Sequence, residues 1–502
     1  MIESLLSAAA LVFTADTLLV ILLASAFGLF VGAMPGLTAT MAAAILVPIT
    51  FYMDPVPAIA AIISCTAMAI TAGDLPGTLL RIPGTPASAA YVEDSYGMTK
   101  NGKASLAIGV GITSATIGGL VGSLLILFAA PFLAKFALGF SSFEYFWLAL
   151  LGLSCAALVS GGGVAKGLLS LLLGLFIAQV GLDPLMAQPR FTFGSGELAG
   201  GISFIPAMIG MFALAEILRN GRAGATFKEQ ARVGNPFKGV GGVLFKFRKN
   251  LFRGAGIGAV IGALPGVGGD LAAWVTYALA KRTSKTPEKF GKGHPEGLVE
   301  AGATNNAALS SAWIPAMVFG IPGDAVTAIA VGVLVMKGMD PGPQLLTLNP
   351  QNFYAVLLVF FLANLLLLPF GFAAAKASRY VFSVPRAYLN AAILLFCIVG
   401  SYAINNSMFG VWVMIVLGLV AYVLEAHGFA VAPIILGIVL GPLLETNFTT
   451  SMMIARGDLL AFFERPVAAV LGIATIGIWA MVIASAVVLA RRRKRDAESL
   501  TA

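Results

Sequence analysis

The segment GLFVGAMPGLTAT, residues 28–40, interrupts an apolar run with glycines and a Pro-Gly pair. A second segment, GAVIGALPGVGGD at residues 258–270, has the same frame: Gly, three residues, Gly-Ala, one residue and Pro-Gly. Proline removes a backbone donor and glycine permits unusual backbone angles, so each frame predicts the end of a helix inside an apolar stretch. Its recurrence 230 residues later indicates an internal repeat.

The composition of the chain is typical of a membrane protein. Of its 502 residues, 59% are hydrophobic and 11% are charged, and the mean hydropathy is +0.93. Soluble domains carry about 25% charged residues. Uncharged runs such as residues 467–490 are long enough to cross a bilayer core of about 30 Å. We therefore predict an all-α polytopic membrane protein. Its net charge of +8 comes from basic clusters that flank apolar runs, which indicates membrane topology rather than nucleic-acid binding.

A second pair of motifs supports the repeat. PGTLLRIPG at residues 76–84 and PAMVFGIPG at residues 315–323 share a Pro, six residues and Pro-Gly, 239 residues apart. Between the repeats, residues 219–253 hold nine basic residues and one acidic residue, which predicts a cytoplasmic linker. The predicted division is a first membrane repeat at 1–218, the linker at 219–253, a second membrane repeat at 254–445, and a C-terminal transmembrane helix with a basic cytoplasmic tail at 446–502.

The distribution of basic residues predicts opposite orientations for the two repeats. No Lys or Arg precedes Arg81, so we expect an external N-terminus, whereas the second repeat follows the basic linker and starts inside. Each inverted-topology repeat is predicted to contain a re-entrant hairpin and about five transmembrane helices, with one extra helix that brings the C-terminus to the cytoplasm. The first crossings would lie near 57–80 and 303–336, with 81–103 cytoplasmic. Full spans on either side of Pro35 are the alternative to a hairpin.

The broken segments are the predicted substrate site. Lipid cannot hydrogen-bond a broken backbone, so irregular chain at membrane depth is expected to line a cavity. A helix that starts after Pro-Gly offers backbone N–H groups and a positive dipole end to an anion. We expect substrate contacts near the midplane, between the two repeats, from Pro35, Gly36, Thr38, Pro83, Gly84, Pro265, Gly266, Gly268, Asn305, Asn306, Pro322 and Gly323.

Coupling of transport to an ion is a separate expectation. Carboxylates are costly inside a membrane and are ion or proton sites by default, and helix C-terminal carbonyls suit Na⁺. We expect ion-coupling roles for Thr66, Asp270 and Asp324, and no cofactor other than a coupling Na⁺ or H⁺. Two alternatives remain open: the Asn305-Asn306 pair could form a helix–helix hydrogen bond, and Asp324 could lie at the membrane interface.

Enzymatic function is not predicted. The two histidines, His294 and His427, are far apart in sequence and belong to no pattern with metal-ligand spacing. The chain has no Walker A motif. The GVGGD segment is similar to the Gly-x-Gly-Asp element of intramembrane aspartyl proteases, but it has an additional glycine and the chain lacks a second aspartate in a Tyr-Asp context.

These motifs resemble those of a known family. GLFVGAMPGLTATMAAAILVPITFYMDP and GDLPGTLLRIPGTPASAA in the first half look like the large permease subunit of tripartite tricarboxylate transporters. The second half agrees, with GALPGVGG, EAGATNNAALSSAWIPAMVFGIPGD and VLVMKGMDPGPQLL. The resemblance covers nearly the whole chain. It implies a bacterial inner-membrane permease, a small four-helix membrane subunit and a periplasmic solute-binding protein as partners, and a carboxylate substrate.

The predicted function is therefore cation-coupled uptake of tricarboxylates or related carboxylates by alternating access, as the permease subunit of a binding-protein-dependent secondary transporter. A stand-alone organic-anion symporter and an intramembrane hydrolase are the alternatives. The specific carboxylate and the choice between Na⁺ and H⁺ stay open at this point.

Overall fold

The fold is described from a computed structural model, over residues 2–34, 37–159, 163–183, 187–220, 233–381 and 386–501. Within these ranges the chain is predominantly helical, which confirms the all-α prediction. One small sheet lies in the described residues, and it pairs β1 (Gly181–Leu182) with β2 (Pro189–Arg190) in antiparallel register. Residues 35 and 36, the Pro-Gly pair of the first frame, lie outside the described residues.

Twelve α-helices lie in the described part of the first half. In the first half they are α1 (Ile2–Val12), α2 (Ala15–Ala33), α3 (Ala39–Thr50), α4 (Pro55–Ala72), α5 (Asp74–Leu80), α6 (Val92–Lys100), α7 (Ala104–Ala137), α8 (Ser142–Val159), α9 (Val164–Ala178), α10 (Gly196–Ala199), α11 (Phe204–Met208) and α12 (Ala215–Asn220), with a 3-10 turn at Ser88–Ala90 and a π-helix at Ile209–Leu214.

The second half contains α13 (Val240–Lys246), α14 (Arg248–Gly262), α15 (Gly268–Thr283), α16 (Pro295–Ser311), α17 (Trp313–Phe319), α18 (Ala325–Met336), α19 (Pro343–Leu348), α20 (Pro350–Val381), α21 (Arg386–Asn405), α22 (Met408–Ala426), α23 (Ala432–Ile454) and α24 (Pro466–Thr501). Further 3-10 turns lie at Pro287–Lys289 and Leu460–Phe463.

The lengths and apolar character of the helices match a multi-pass membrane protein. Within the described ranges, seven helical stretches are long and apolar enough to cross a bilayer: Ala15–Ala33, Pro55–Leu80, Ala104–Ala137, Pro350–Ser378, Met408–Ala426, Ala432–Ile454 and Pro466–Ala484. The two helices that flank Pro35, α2 and α3, differ in whether they are long enough to cross the bilayer. At 1.5 Å per residue α2 is about 28 Å long and could span, whereas α3 is only about 18 Å long and could not.

The first crossing predicted in each half is a broken helix with the same local geometry. The break between α4 and α5 is at Gly73 and that between α16 and α17 is at Ala312, both with φ −60° and ψ −17°. Each helix then ends on a left-handed residue, Arg81 at φ 61° and Gly320 at φ 70°. The predicted continuous crossing at 303–336 is therefore interrupted, and α18 is a separate helix.

The segment after each broken helix is held by a matching pair of hydrogen bonds. In the first half, Thr85 N donates to Ser88 Oγ at 3.1 Å and Ser88 N donates to Thr85 Oγ1 at 3.0 Å. In the second half, Asp324 N donates to Thr327 Oγ1 and Thr327 N donates to Asp324 Oδ1, both at 2.8 Å. These are reciprocal caps that satisfy free backbone N–H groups. They lie 239 residues apart, as the sequence repeat requires.

The glycines of the repeated frame bring pairs of helices into backbone contact. A Cβ atom on any of them would lie only 2.1–2.4 Å from a carbonyl oxygen of the neighbouring helix, so only glycine fits at the observed distance. The facing positions are again repeat equivalents, with α2 against α4 and α14 against α16: Gly28 with Cys65, Gly32 with Ala69, Gly258 with Thr304, and Gly262 with Ala308.

Helix α16 lies at the centre of this arrangement. Every residue from Glu296 to Ser311 is buried, and α7, α14 and α15 pack around the helix. A helix that is enclosed on all sides shows little amphipathic pattern, so its neighbours rather than its sequence decide which residues face a cavity.

Candidate functional site

A cavity of about 90 Å³ lies where segments of both halves meet. The first half contributes the start of α3, one residue of α4 and the segment that follows α5. The second half contributes the starts of α15 and α18 and one face of α16. The lining residues are Thr38, Ala39, Thr40, Ile70, Thr85, Pro86, Gly269, Asp270, Asn305, Leu309, Asp324, Ala325 and Val326.

Most lining positions occur in pairs that the sequence repeat relates. The first-frame offset of 230 relates Ala39 to Gly269 and Thr40 to Asp270, and the second offset of 239 relates Ile70 to Leu309, Thr85 to Asp324 and Pro86 to Ala325. The cavity is therefore formed by equivalent segments of the two halves. Its side chains are not equivalent, because hydroxyl groups in the first half stand where the second half has carboxylates.

Three helices begin at the cavity. Thr38 caps α3, with its Oγ1 accepting from Met41 N at 3.1 Å, and Asp324 caps α18. Helix α15 begins at Gly268, whose φ of +69° favours glycine, and a Cβ atom there would lie 3.2 Å from the Cβ atom of Asp324. Helix N-termini present backbone N–H groups and the positive end of the helix dipole. The backbone around the cavity is thus suited to an anion.

The adjacent amides Asn305 and Asn306 face in different directions. Asn305 lines the cavity. Asn306 is 1% exposed, and its Nδ2 donates to Thr71 Oγ1 on α4 at 3.1 Å. The helix–helix hydrogen bond considered for the pair therefore applies to Asn306. Of the two, only Asn305 is placed to contact a ligand in the cavity.

Two carboxylates face the cavity, among the lining residues described here. Asp270 Oδ1 accepts from Ala87 N at 3.1 Å, and Trp274, one turn further along α15, donates from Nε1 to Pro86 O at 3.1 Å. Asp324 Oδ1 accepts from Thr327 N, so this side chain has a capping role whatever else it binds. None of the described lining residues is Lys, Arg or His. An anion bound here would therefore need cations or protons beside the two carboxylates.

The other predicted site residues do not line the cavity. Thr66 is fully buried and donates from Oγ1 to Ile62 O at 2.8 Å within its own helix. Gly84 N donates to Gly73 O at 3.1 Å, next to Pro83. Pro265 and Gly266, also predicted site residues, contact Gly152 of α8, and Gly323 packs on Ala312 beside Pro322. Pro35 and Gly36 lie outside the described residues. Their roles in binding stay predictions.

Several residues near the cavity were not predicted as site residues. The segment 81–103 was expected to be a cytoplasmic loop, yet Thr85 and Pro86 line the cavity. Tyr91, which is 1% exposed, donates from its hydroxyl to Asp74 Oδ1 at 2.8 Å. Arg81 pairs with Glu93 at 2.8 Å, away from these groups. Among the described residues, no three His, Cys, Asp or Glu side chains are close enough together to hold a metal ion.

Comparison with known proteins gives a consistent result. A model of the tripartite tricarboxylate transporter TctA family matches residues 18–436. An uncharacterized 52.8 kDa protein in the TAR-I ttuC' 3' region of Agrobacterium vitis is 35% identical over 475 residues, which cover 93% of this chain and 93% of that protein. A second protein of the same organism, from the TAR-II ttuC' 3' region, is 37% identical over 239 residues, or 48% of this chain and 97% of that protein. No solved structure matches the chain.

Proposed function

Because the chain belongs to the tripartite tricarboxylate transporter TctA family and is a multi-pass membrane subunit of such a transporter, we propose that it carries a tricarboxylate or a related carboxylate through the cavity between its two halves. The observation that carries this proposal is the construction of the cavity. Repeat-related segments surround it, helices begin at it, and the amide of Asn305 faces it.

The proposal includes two repeats of inverted topology in the bacterial inner membrane, with the N-terminus in the periplasm. The matched breaks, caps and glycine contacts support the repeat. Long-range polar contacts support the order of the crossings, because each joins segments that the predicted topology puts on one side of the membrane. On the outer side these are Arg465–Glu144, Arg190–Glu445 and Lys337 with Phe51 O, and on the inner side they are Arg219–Glu425 and Lys166 with His427 O.

Alternating access is the mechanism that we propose for the passage of substrate. Ligand clefts usually have volumes of about 300–1,000 Å³. The cavity, at about 90 Å³, has room for a few waters but not for a tricarboxylate. The cavity must therefore widen for substrate to enter. We propose that the unit built from α2–α5 and α14–α18 moves against the remaining helices in elevator fashion and opens the cavity to each side in turn.

Coupling and partners follow from the same proposal. A carboxylate beside Asp270 and Asp324 requires compensating positive charge, so substrate entry would be accompanied by Na⁺ or H⁺. Substrate would be delivered by a periplasmic solute-binding protein, and a small four-helix subunit would complete the membrane complex, as family membership implies.

Radiolabelled uptake of a panel of di- and tricarboxylates tests the proposal. Cells that express the full chain with its partner subunits are assayed with and without Na⁺. We expect saturable uptake of at least one tricarboxylate that is lost when this chain is deleted. Absence of uptake for every compound in the panel would contradict the proposal. Uptake that persists without the partner subunits would indicate a stand-alone symporter instead.

A further inference from the structure

A carboxylate lies just beyond the cavity, at the break in the first broken helix. Asp74 is the first residue of α5 and belongs to the apolar stretch Pro55–Leu80, which is long enough to span the membrane. Ile70, four residues earlier, lines the cavity. Asp74 therefore follows the cavity along the chain, directly after the break at Gly73, and lies towards the cytoplasmic side in the proposed topology.

The surroundings of Asp74 do not compensate a negative charge. Its one hydrogen bond within the described chain comes from the Tyr91 hydroxyl, although an ionised carboxylate has about four acceptor sites. Helix α5 packs against α2, α4, α6, α7 and the turn at Ser88–Ala90. Helix α4 carries no charged side chain, and its one titratable group is the Cys65 thiol. None of the described charged side chains on the other elements forms an ion pair with Asp74; they are Asp16, Glu93, Asp94, Lys100 and Lys135.

Tyr91 links Asp74 to the cavity. Its hydroxyl donates to Asp74 Oδ1 at 2.8 Å, and Tyr91 is near enough to Asn305 and Asp270, which both line the cavity, to interact with them electrostatically. A change of protonation at Asp74 therefore alters a hydrogen bond made beside the cavity.

We propose that Asp74 is the binding site of a proton that is transported together with the carboxylate. This inference rests on the proposed function and deepens it, because it identifies the coupling ion. Without a cationic partner at membrane depth, the neutral acid is the favoured form of this side chain. A proton from outer water forms an O–H bond on the Asp74 carboxylate. After the cavity opens inward, that bond breaks and the proton passes to cytoplasmic water, so no oxidation or reduction takes place.

The chain contains a matched control pair of the same chemistry. Tyr277 donates to Asp94 Oδ2 at 2.7 Å, but Asp94 Oδ1 also accepts from Gly293 N at 3.1 Å and His294 N at 2.9 Å. These additional donors compensate the charge of Asp94 and tie α6 to the segment that precedes α16. Asp94 is therefore a structural anchor, and removal of the Tyr277 hydroxyl should not affect coupling.

The test uses cells or membrane vesicles that carry the full chain with its partner subunits. Accumulation of labelled substrate is driven by an imposed pH gradient, and exchange of labelled for unlabelled substrate is measured without a gradient. One pH unit supports about tenfold accumulation for each coupled proton. For Asp74→Asn we expect loss of the gradient-driven accumulation, while exchange continues and no longer depends on pH. Asp74→Glu should restore accumulation, and Tyr91→Phe should shift its pH profile while Tyr277→Phe does not.

The outcomes separate this proposal from the proposed function. If the wild-type protein transports no carboxylate, the proposed function fails. If wild-type uptake is driven by Na⁺ and unaffected by the pH gradient, or if Asp74→Asn accumulates substrate with the wild-type pH profile, Asp74 is not the coupling site. Parallel loss of exchange and accumulation in both Asp74→Asn and Asp74→Glu, at normal protein levels, would assign Asp74 a structural role and overturn the proposal.

Discussion

Replacing Gly258 by Ala should weaken the contact between α14 and α16. The added Cβ atom would lie 2.4 Å from the Thr304 carbonyl oxygen, so the helices must move apart by about 1 Å to reach ordinary contact. Overpacking of this kind costs about 1–3 kcal/mol. The higher helix propensity of alanine stabilises a helix by about 1 kcal/mol relative to glycine, which partly offsets the cost of the clash.

Gly256→Ala is the matched control for this prediction. Gly256 lies in the same helix, and a Cβ atom there would have nothing within 4 Å. Both variants gain the same helix propensity, so the difference in their free energies of unfolding isolates the clash. Unfolding in mixed detergent micelles should show Gly258→Ala to be less stable than Gly256→Ala by about 1–3 kcal/mol. Equal stability of the two variants would refute the explanation of the repeated glycine frame.

The two asparagines should differ under substitution. Asn306→Ala removes the buried hydrogen bond between α16 and α4 and should lower the free energy of unfolding by about 0.5–1.5 kcal/mol, whereas Asn305→Ala should lower uptake and leave stability nearly unchanged. Identical effects of the two on both measurements would contradict their placement. Asp324→Ala should cost about 0.5–2 kcal/mol as a lost helix cap, while Asp324→Asn should keep the stability and, if the carboxylate binds a cation, lower uptake. In a variant without native cysteines, a cysteine at Glu3 should react with an impermeant reagent added outside intact cells, and one at Lys249 should react only after permeabilisation. Labelling of both positions from the same side would contradict the inverted repeats, and the reverse pattern would contradict the predicted orientation.

The sequence located the helix breaks because proline and glycine have local backbone consequences. Both motif pairs coincide with breaks or turns wherever the chain is described, and the offsets of 230 and 239 recur in the caps and in the helix contacts. The prediction attributed the frame to ligand binding alone. In the structure its first two glycines serve helix packing, and residues just after the Pro-Gly pair line the cavity.

The distinction between Asn305 and Asn306 could not be predicted. Adjacent residues point about 100° apart around a helix, and α16 is buried along nearly its whole length. Its sequence therefore lacks the polar face that would show its rotation. Which amide faces the cavity depends on how α4, α7, α14 and α15 pack, and these contacts join residues far apart in the chain.

The pairing of Asp74 with Tyr91 was missed for a related reason. The sequence analysis treated residues 81–103 as one cytoplasmic segment and therefore placed no partner from it beside Asp74. The left-handed turn at Arg81 and the cap at Thr85 instead direct this segment back to the cavity, where Tyr91 is buried. Charge patterning reports the side of the membrane on which a segment starts, and it does not report whether the segment folds back.

A structure of the protein with a bound tricarboxylate tests the central claim most directly. The account predicts the ligand in a widened cavity between the starts of α3 and α15, with one carboxylate within hydrogen-bonding distance of Asn305 Nδ2 and of backbone N–H groups at a helix N-terminus. A ligand held by one half of the chain alone, or a cavity that stays empty at saturating substrate while the ligand binds elsewhere, would contradict it.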